Sequence, residues 1–430
     1  MAEGIVAFCE AGNTSGTLVS APPGSLSRNR NYQLLWISQV LSGCGQSASV
    51  IAFPLLVLAL TGSAAASGLV LGTIAAAQLL AGLPAGALVD RWDRKAIMLG
   101  CEAAQVIVAA SLVAALWWGV ARVAHLVVVA TVLGICAALF RPAEDACLPR
   151  VVPAEQLSTA VALNAARGSV AQLSGTAAGG FLFGIARFVP FVVDALVHAL
   201  AGTLLVFLQV PPREAAPAPT RQLRLRHLGP EIAAGLRWVW AQRPIRVTAL
   251  CAIVLNLFFT AFYLIVIVLA TDRGVPSGQI GVMAAMLGAG GLLGALVASR
   301  LSQLMSPYVS IIAVFWVMAA LTPVAVVLRS GYLLGGLFAV LAVLPATANT
   351  SIITRQLLLT PDDLRGRLSS VLGIGTGVAA TLGPVLGGLL ASAVSGTVAV
   401  LVCAGGIAAV AVLATASPTL RSFPRNLAGV

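Results

Sequence analysis

Twelve stretches of mainly apolar residues, each about 20 or more long, run through this chain and leave little choice of fold. They cover roughly 34–60, 66–89, 96–118, 123–143, 164–186, 189–210, 248–271, 279–299, 308–328, 331–353, 369–393 and 397–416. A helix needs about 20 such residues to cross the hydrocarbon of a bilayer. Spanning strands would alternate apolar and polar positions, so the stretches read as helices. Composition agrees: of 430 residues, 59% are hydrophobic and 9% charged, and the mean hydropathy is +1.00. Soluble chains carry about 25% charged residues. An aqueous enzyme, a nucleic-acid-binding protein and a disordered scaffold are excluded.

The expected fold is an all-α integral membrane protein of twelve transmembrane helices in two six-helix bundles. The joins are short except for one at about 211–247, which divides the bundles. The boundaries follow: a cytoplasmic tail at 1–30, bundles at 31–210 and 248–416, a linker at 211–247 and a second tail at 417–430. The stretch 230–241 reads as a short amphipathic helix on the inner surface. With both termini placed in the cytoplasm, all 25 Lys and Arg residues except Arg122, Arg187, Arg273 and Arg329 fall on the inner side. That bias is the one that orients membrane proteins, and it explains the net charge of +11 as topology and contact with anionic lipid. Residues 1–30 lack the basic start and apolar core of a signal peptide. The expected location is a bacterial cytoplasmic membrane, and the expected state is a monomer.

An offset of 208 maps Gly86-Ala87-Leu88-Val89 onto Gly294-Ala295-Leu296-Val297. It also maps Gly82 onto Gly290, Pro153 onto Pro361, Gly175 onto Gly383, and Gly179-Gly180 onto Gly387-Gly388. The chain reads as two copies of a six-helix unit in parallel orientation, an arrangement that puts a substrate site between halves near the midplane.

The loop after the second span, Gly86 to Asp90-Arg91-Trp92-Asp93-Arg94-Lys95, resembles the cytoplasmic signature of the major facilitator superfamily. Trp92-Asp93 stands where that family has a glycine. Gly82 and Gly86, four apart, would let helix backbones approach closely. The resemblance implies that Asp90 braces the other half when the inner side is closed. Its partner would be the N-terminal end of the eleventh span near Ser369 and Ser370, whose dipole favours an anion. Arg91 and Arg94 would pair with Glu144 or Asp145. A purely topological role for these charges is the alternative. In the fifth span, Gly175-Thr176-Ala177-Ala178-Gly179-Gly180 is similar to the Gly-Pro-x-x-Gly-Gly motif of exporters in that superfamily, with the proline missing. The second half keeps it, as Gly383-Pro384-Val385-Leu386-Gly387-Gly388. Plain helix packing is the other reading of both. The segments 29–36, 140–153 and 235–240 resemble the macrolide-efflux and enterobactin-exporter branch.

Ionisable groups inside a bilayer are costly and functional by default, and this chain has few. Glu102 lies about two turns into the third span, where it could carry a proton or be an interfacial carboxylate paired with Arg167 or a loop arginine. Asp194 and His198 are four apart and share a helix face. They could form a proton site, although Asp194 near Pro190 could merely cap its helix. In the superfamily resembled, the first, fourth, seventh and tenth spans line the cavity. The candidate lining here is Gln39, Gln46 and Phe53, with Ser42 and Ser49 on the same stripe, then Asn256, Phe259 and Tyr263, then Thr347 and Asn349. Neutral polar groups among aromatics suit a bulky amphipathic ligand, and the other reading is helix-to-helix packing.

Seven scattered cysteines and three distant histidines have no metal or redox spacing. No enzyme constellation, metal or cofactor is expected, so the energy source would be a proton gradient. The leading expectation is a secondary active exporter of a hydrophobic or amphipathic small molecule, a drug, antibiotic or siderophore-like natural product, by alternating access and proton antiport. A metabolite importer or facilitator on the same fold, and a lipid scramblase or non-transporting membrane protein, are the alternatives.

Overall fold

The computed structural model of the protein describes residues 26–210 and 225–421. The expected tails at 1–25 and 422–430 and the linker stretch 211–224 lie outside the described residues. Within them the chain is helical, without a strand. The order is α1 (Arg30–Thr61), α2 (Ala64–Arg91), α3 (Arg94–Trp117), α4 (Val123–Val151), α5 (Leu157–Ile185), α6 (Val189–Val206), α7 (Leu225–Ala241), α8 (Arg243–Asp272), α9 (Ser277–Leu304), α10 (Pro307–Leu321), α11 (Gly331–Leu359), α12 (Arg365–Ala393), α13 (Gly396–Ala416) and the short α14 (Pro418–Arg421). Ten of these helices, and α10 together with the 3₁₀ turn that follows it (Tyr308–Val326), are long and apolar enough to cross a membrane. To them α5 adds a twelfth span by length, 29 residues, its apolar run diluted by Asn164, Arg167, Ser169, Gln172 and Ser174.

Several ends differ from the sequence expectation for local reasons. The fourth span does not stop at 143 but continues through Pro142 and Pro149 to Val151, carrying Glu144 and Asp145 on an extension beyond the apolar run. The sixth stops at Val206 rather than 210, where Lys95 Nζ donates to the Val206 and Leu208 carbonyls at 2.8 Å each. A cation at a helix C-terminus satisfies its last carbonyls and opposes its dipole. The ninth stretch is α10 followed by a 3₁₀ turn at Thr322–Val326, because Pro323 cannot continue the α-helical ladder. The eighth helix begins at Arg243, ahead of 248. The amphipathic helix α7 turns Val239 inward against Ile245 and Leu368 and leaves Trp240 exposed.

Two apolar clusters hold the first half together, one around Phe53, Leu112, Leu126 and Phe191, the other around Tyr32, Met98 and Leu148. A third cluster fills the second half and takes in Ile51, Leu55 and Leu58 of α1, which pack against α8. It joins the halves at the end opposite Asp90.

The two glycine motifs do equivalent work in the two halves. A Cβ on Gly175 or Gly179 would strike the backbone of α1 at Cys44 and Ala48. On Gly383 or Gly387 it would strike α8 at Thr260 and Ala261. The second glycine of each pair faces the other half instead. Gly180 lies against Gly281 and Ser277 of α9, and Gly388 against Ala64 and Gly68 of α2. The carbonyls of Thr176 and Pro384 sit at the same two crossings, so the missing proline does not change the contact. The Ala65 N–H donates across the halves to Ser392 Oγ at 2.9 Å. Small residues allow this backbone-to-backbone packing.

Contact between the halves fades towards Asp90. On α2 and α12 it runs from Gly68 through Gly72 to Leu79 and Gly377. Beyond that, Gly82 and Gly86 on one side and Gly366 and Gly373 on the other meet open space. On α5 and α9 it runs from Gly184 to Leu173 and Gly288, and Gly168 is open. The molecule is splayed at the Asp90 end and sealed at the other. This corrects the close approach expected at Gly82 and Gly86. In this conformation α2 meets α4 at Gly134, against Ile74 and Ala77, and only the repeat mates Gly290 and Gly294 press on a helix, α11, at Ala339 and Val343.

Candidate functional site

Three ionisable side chains meet in the middle of the first half. Glu102 of α3 and Asp194 and His198 of α6 are each at most 2% exposed. His198 Nδ1 lies 2.6 Å from Glu102 Oε2, and Nε2 lies 3.4 Å from Asp194 Oδ1, a contact that falls short of a hydrogen bond. On the remaining side, Ser42 Oγ of α1 donates to Glu102 Oε1. Gly45, one turn along α1, completes the fit: a Cβ there would collide with Val197 and Asp194 Oδ1. Glu102 is eight residues into α3 and His198 eight residues from the end of α6, so both lie about 12 Å in from the splayed end.

The chemistry follows from burial. Ions are expensive in a low dielectric unless paired, and here the imidazole stands between two carboxylates. The sequence-level alternatives are settled in part. Glu102 pairs with His198, and it is Glu144 that holds Arg167, at 2.7 Å between Oε1 and Nη2. Asp194 does not merely cap α6, since it is buried against His198 and α1.

The charged loop is also more structural than expected. Asp93 Oδ1 accepts from the Ala96 N–H at 2.9 Å and so caps α3. Arg94 Nη1 donates to the Ala146 carbonyl at 2.6 Å, where a pairing with Glu144 or Asp145 was expected. Lys95 caps α6 as described. Asp90 and Arg91 are exposed at the splayed end.

Arg167 and Glu144 are both nearly buried. Removing one partner of such a pair costs about 3–5 kcal/mol, whereas replacing both with apolar residues is often neutral. Arg167→Met alone is therefore expected to lower the thermal unfolding midpoint in detergent, and Arg167→Met with Glu144→Leu to recover most of the loss. A double variant no more stable than the single one would show the pair to be unimportant.

The candidate cavity residues divide. Phe53 is core: its ring packs edge-on against Phe191 with centroids 5.3 Å apart, so it does not line a cavity. Gln39 is buried and Gln46 exposed. In the second half, Phe259, Phe262 and Tyr263 surround Phe338 of α11 at 5.3–6.4 Å. Phe262–Phe338 and the Gln356–Thr248 hydrogen bond of 3.1 Å set an antiparallel register between α8 and α11. That register puts Asn256 level with Thr347. Both have a buried polar atom without a hydrogen-bond partner, and Asn349 nearby is exposed. The result is a mid-helix patch of neutral polar groups beside an aromatic cluster. Phe338 and Gly45 gave no signal in the sequence, as one is an apolar residue in an apolar run and the other a glycine among many.

Comparison with known proteins fits this architecture. The multidrug efflux pump Tap of Mycobacterium tuberculosis is 28% identical over 280 residues, 61% of this chain and 64% of that one. The match thus spans about two-thirds of that relative, slightly less by length. Tap of Mycolicibacterium fortuitum is 27% identical over 380 residues, 84% of this chain and 89% of the relative. Among solved structures, the nucleoside transporter NupG superposes with a TM-score of 0.70 at 14% identity, covering 92% of this chain and 100% of its own. A bacterial homologue of the iron transporter ferroportin gives 0.68 at 16%, covering 91% and 98%. At these identities the structures speak for the fold alone. The sequence profile of the transmembrane secretion effector family matches residues 23–426, and the chain belongs to that family of major facilitator transporters.

Proposed function

We propose that the protein is a secondary active exporter of a hydrophobic or amphipathic small molecule, driven by proton antiport and working by alternating access. The observation that carries this reading is the Glu102–His198–Asp194 cluster, buried in the first half and hydrogen-bonded to α1. An intramembrane ionisable cluster of this kind is costly to keep without a task. The patch on α8 and α11 contains no charge, so it suits a ligand held by apolar contact and a few hydrogen bonds. The name of the Tap relatives supports efflux of such compounds. The basic bias of the splayed end would place it in the cytoplasm, where an exporter loads. The protein would act as a monomer in the bacterial cytoplasmic membrane, with both termini inside and no cofactor.

The test uses inside-out vesicles with an imposed proton gradient, a pH-sensitive dye and a panel of hydrophobic antibiotics. Addition of at least one compound is expected to release protons. Asp90→Asn is expected to insert at normal abundance and to lose that release, because the aspartate could no longer brace the closed state. No release with any compound from vesicles holding folded protein would overturn the antiport reading, and full activity in Asp90→Asn would overturn the bracing role.

A further inference from the structure

We infer that Ser42 couples α1 to the proton-carrying cluster, reading the protonation state of Glu102, and that Gly45 is the slot that seats α1 closely enough for it to do so. This deepens the antiport reading above and rests on it.

The argument begins with where α1 sits. One face, with Ser42 and Gly45 at i and i+3, lies on Glu102, Asp194 and Val197. Another, with Cys44, Ser47 and Ala48, lies on Gly175 and Gly179 of α5. The next residue of α5, Gly180, makes the backbone contact with Gly281 of the other half. A single rigid helix therefore separates the acid cluster from the helix that carries a crossing between halves. Ser42 is the side chain of α1 that bonds to the cluster.

A hydroxyl has one donor and two acceptor positions. Towards an ionised Glu102 it donates, and such charge-assisted bonds are roughly twice as strong as neutral ones. When a proton from the solvent binds at Oε1, that oxygen becomes a donor. Ser42 must then rotate to accept, or lose the bond. No other bond forms or breaks. The hold of α3 on α1 is thus strong with the proton absent and weaker with it present. Gly45 matters because any side chain there would push α1 off Asp194 and lengthen the Ser42 contact. The other titratable groups around the cluster, Cys101 of α3 and Cys136 of α4, contact each other, with Cys136 Sγ 3.7 Å from the Cys101 carbonyl. Among the described residues α1 presents no ionisable group to it.

The test reads conformation rather than transport, so that no substrate need be known. Spin labels go on Ala154→Cys and Asp362→Cys, exposed positions in matching turns of the two halves at the splayed end, with Cys9 and Cys44 replaced by serine. Their separation in nanodiscs is measured by double electron–electron resonance between roughly pH 5 and 9. The parent is expected to shift between a long and a short distance as pH changes. Ser42→Ala removes a donor to the ionised form, which eases protonation, so the midpoint should move to higher pH by roughly half a unit to one unit. Ser42→Thr, which keeps the hydroxyl, should restore it. Ser42→Cys, a weaker donor of similar size, should lie between and carries the test if the alanine variant does not fold. An unmoved midpoint in folded Ser42→Ala or Ser42→Cys, with Glu102→Gln still abolishing the shift, overturns the Ser42 inference and leaves the antiport reading standing. A parent with no pH-dependent shift, or one that persists in Glu102→Gln, overturns both.

Discussion

Glu102→Gln is expected to leave the protein folded and inserted, and to cut proton-driven transport by at least about tenfold, a barrier increase of about 1.4 kcal/mol. Downhill exchange of the same substrate should survive. The substitution is close to isosteric. The amide carbonyl can still accept from Ser42 Oγ, and its NH₂ can still meet His198 Nδ1, the two partners the carboxylate has now. What is lost is titration at the centre of the cluster. Asp194 and His198 remain, but their mutual contact of 3.4 Å is the weaker one, and neither is bonded to α1. The pH dependence of whatever transport is left should flatten. His198→Ala is a poorer probe, because it leaves two carboxylates buried with nothing between them, and a fall in abundance would hide the coupling defect. The measurement is substrate-induced proton release set beside gradient-free exchange in the same proteoliposomes. Equal losses in both would mean that Glu102 serves packing and not coupling.

The identity of this cluster shows where the sequence stops being informative. Glu102, Asp194 and His198 were all visible as rare ionisable residues in apolar runs, and the spacing of four put Asp194 and His198 on one face. Whether Glu102 belonged with them or with Arg167 depended on which helices are neighbours. In the fold α3 lies beside α6, while Arg167 on α5 lies beside Glu144 on α4. Nothing local to residue 102 encodes that choice. Phe53 illustrates the same limit. It shares a helical stripe with Gln39 and Gln46, but a stripe does not say whether a side chain faces a cavity or the core, and Phe191 decides it. The twelve spans, by contrast, were legible because the solvent itself imposes length and apolarity. The helix ends are set instead by single contacts, such as Lys95 on α6.

Gly82 and Gly180 are expected to respond to the same substitution in opposite ways, and this tests alternating access directly. Gly180→Val inserts a branched side chain where the backbone of α5 touches that of α9 at Gly281 and Ser277. These atoms belong to rigid helices and cannot step aside, so the helices must separate by on the order of an ångström or more. The seal at the end opposite Asp90 should fail, and Gly388→Val, its repeat mate against Gly68, should behave alike. A Cβ at Gly82 meets nothing within 4 Å in this conformation, so Gly82→Val should leave it undisturbed. If the Asp90 end closes during transport, α2 must then approach α12 along Gly82, Gly86 and Asp90, and the valine would stand between them. Labels on Ala154→Cys and Asp362→Cys should accordingly report a population shifted towards the short distance in Gly180→Val and held at the long distance in Gly82→Val. Transport should fall at least about tenfold in both, with abundance preserved. Retained transport in Gly82→Val would be the more damaging result. It would mean that the splayed end never closes along this face, and that the resemblance of the Asp90 loop to a gate describes its ancestry and not its use.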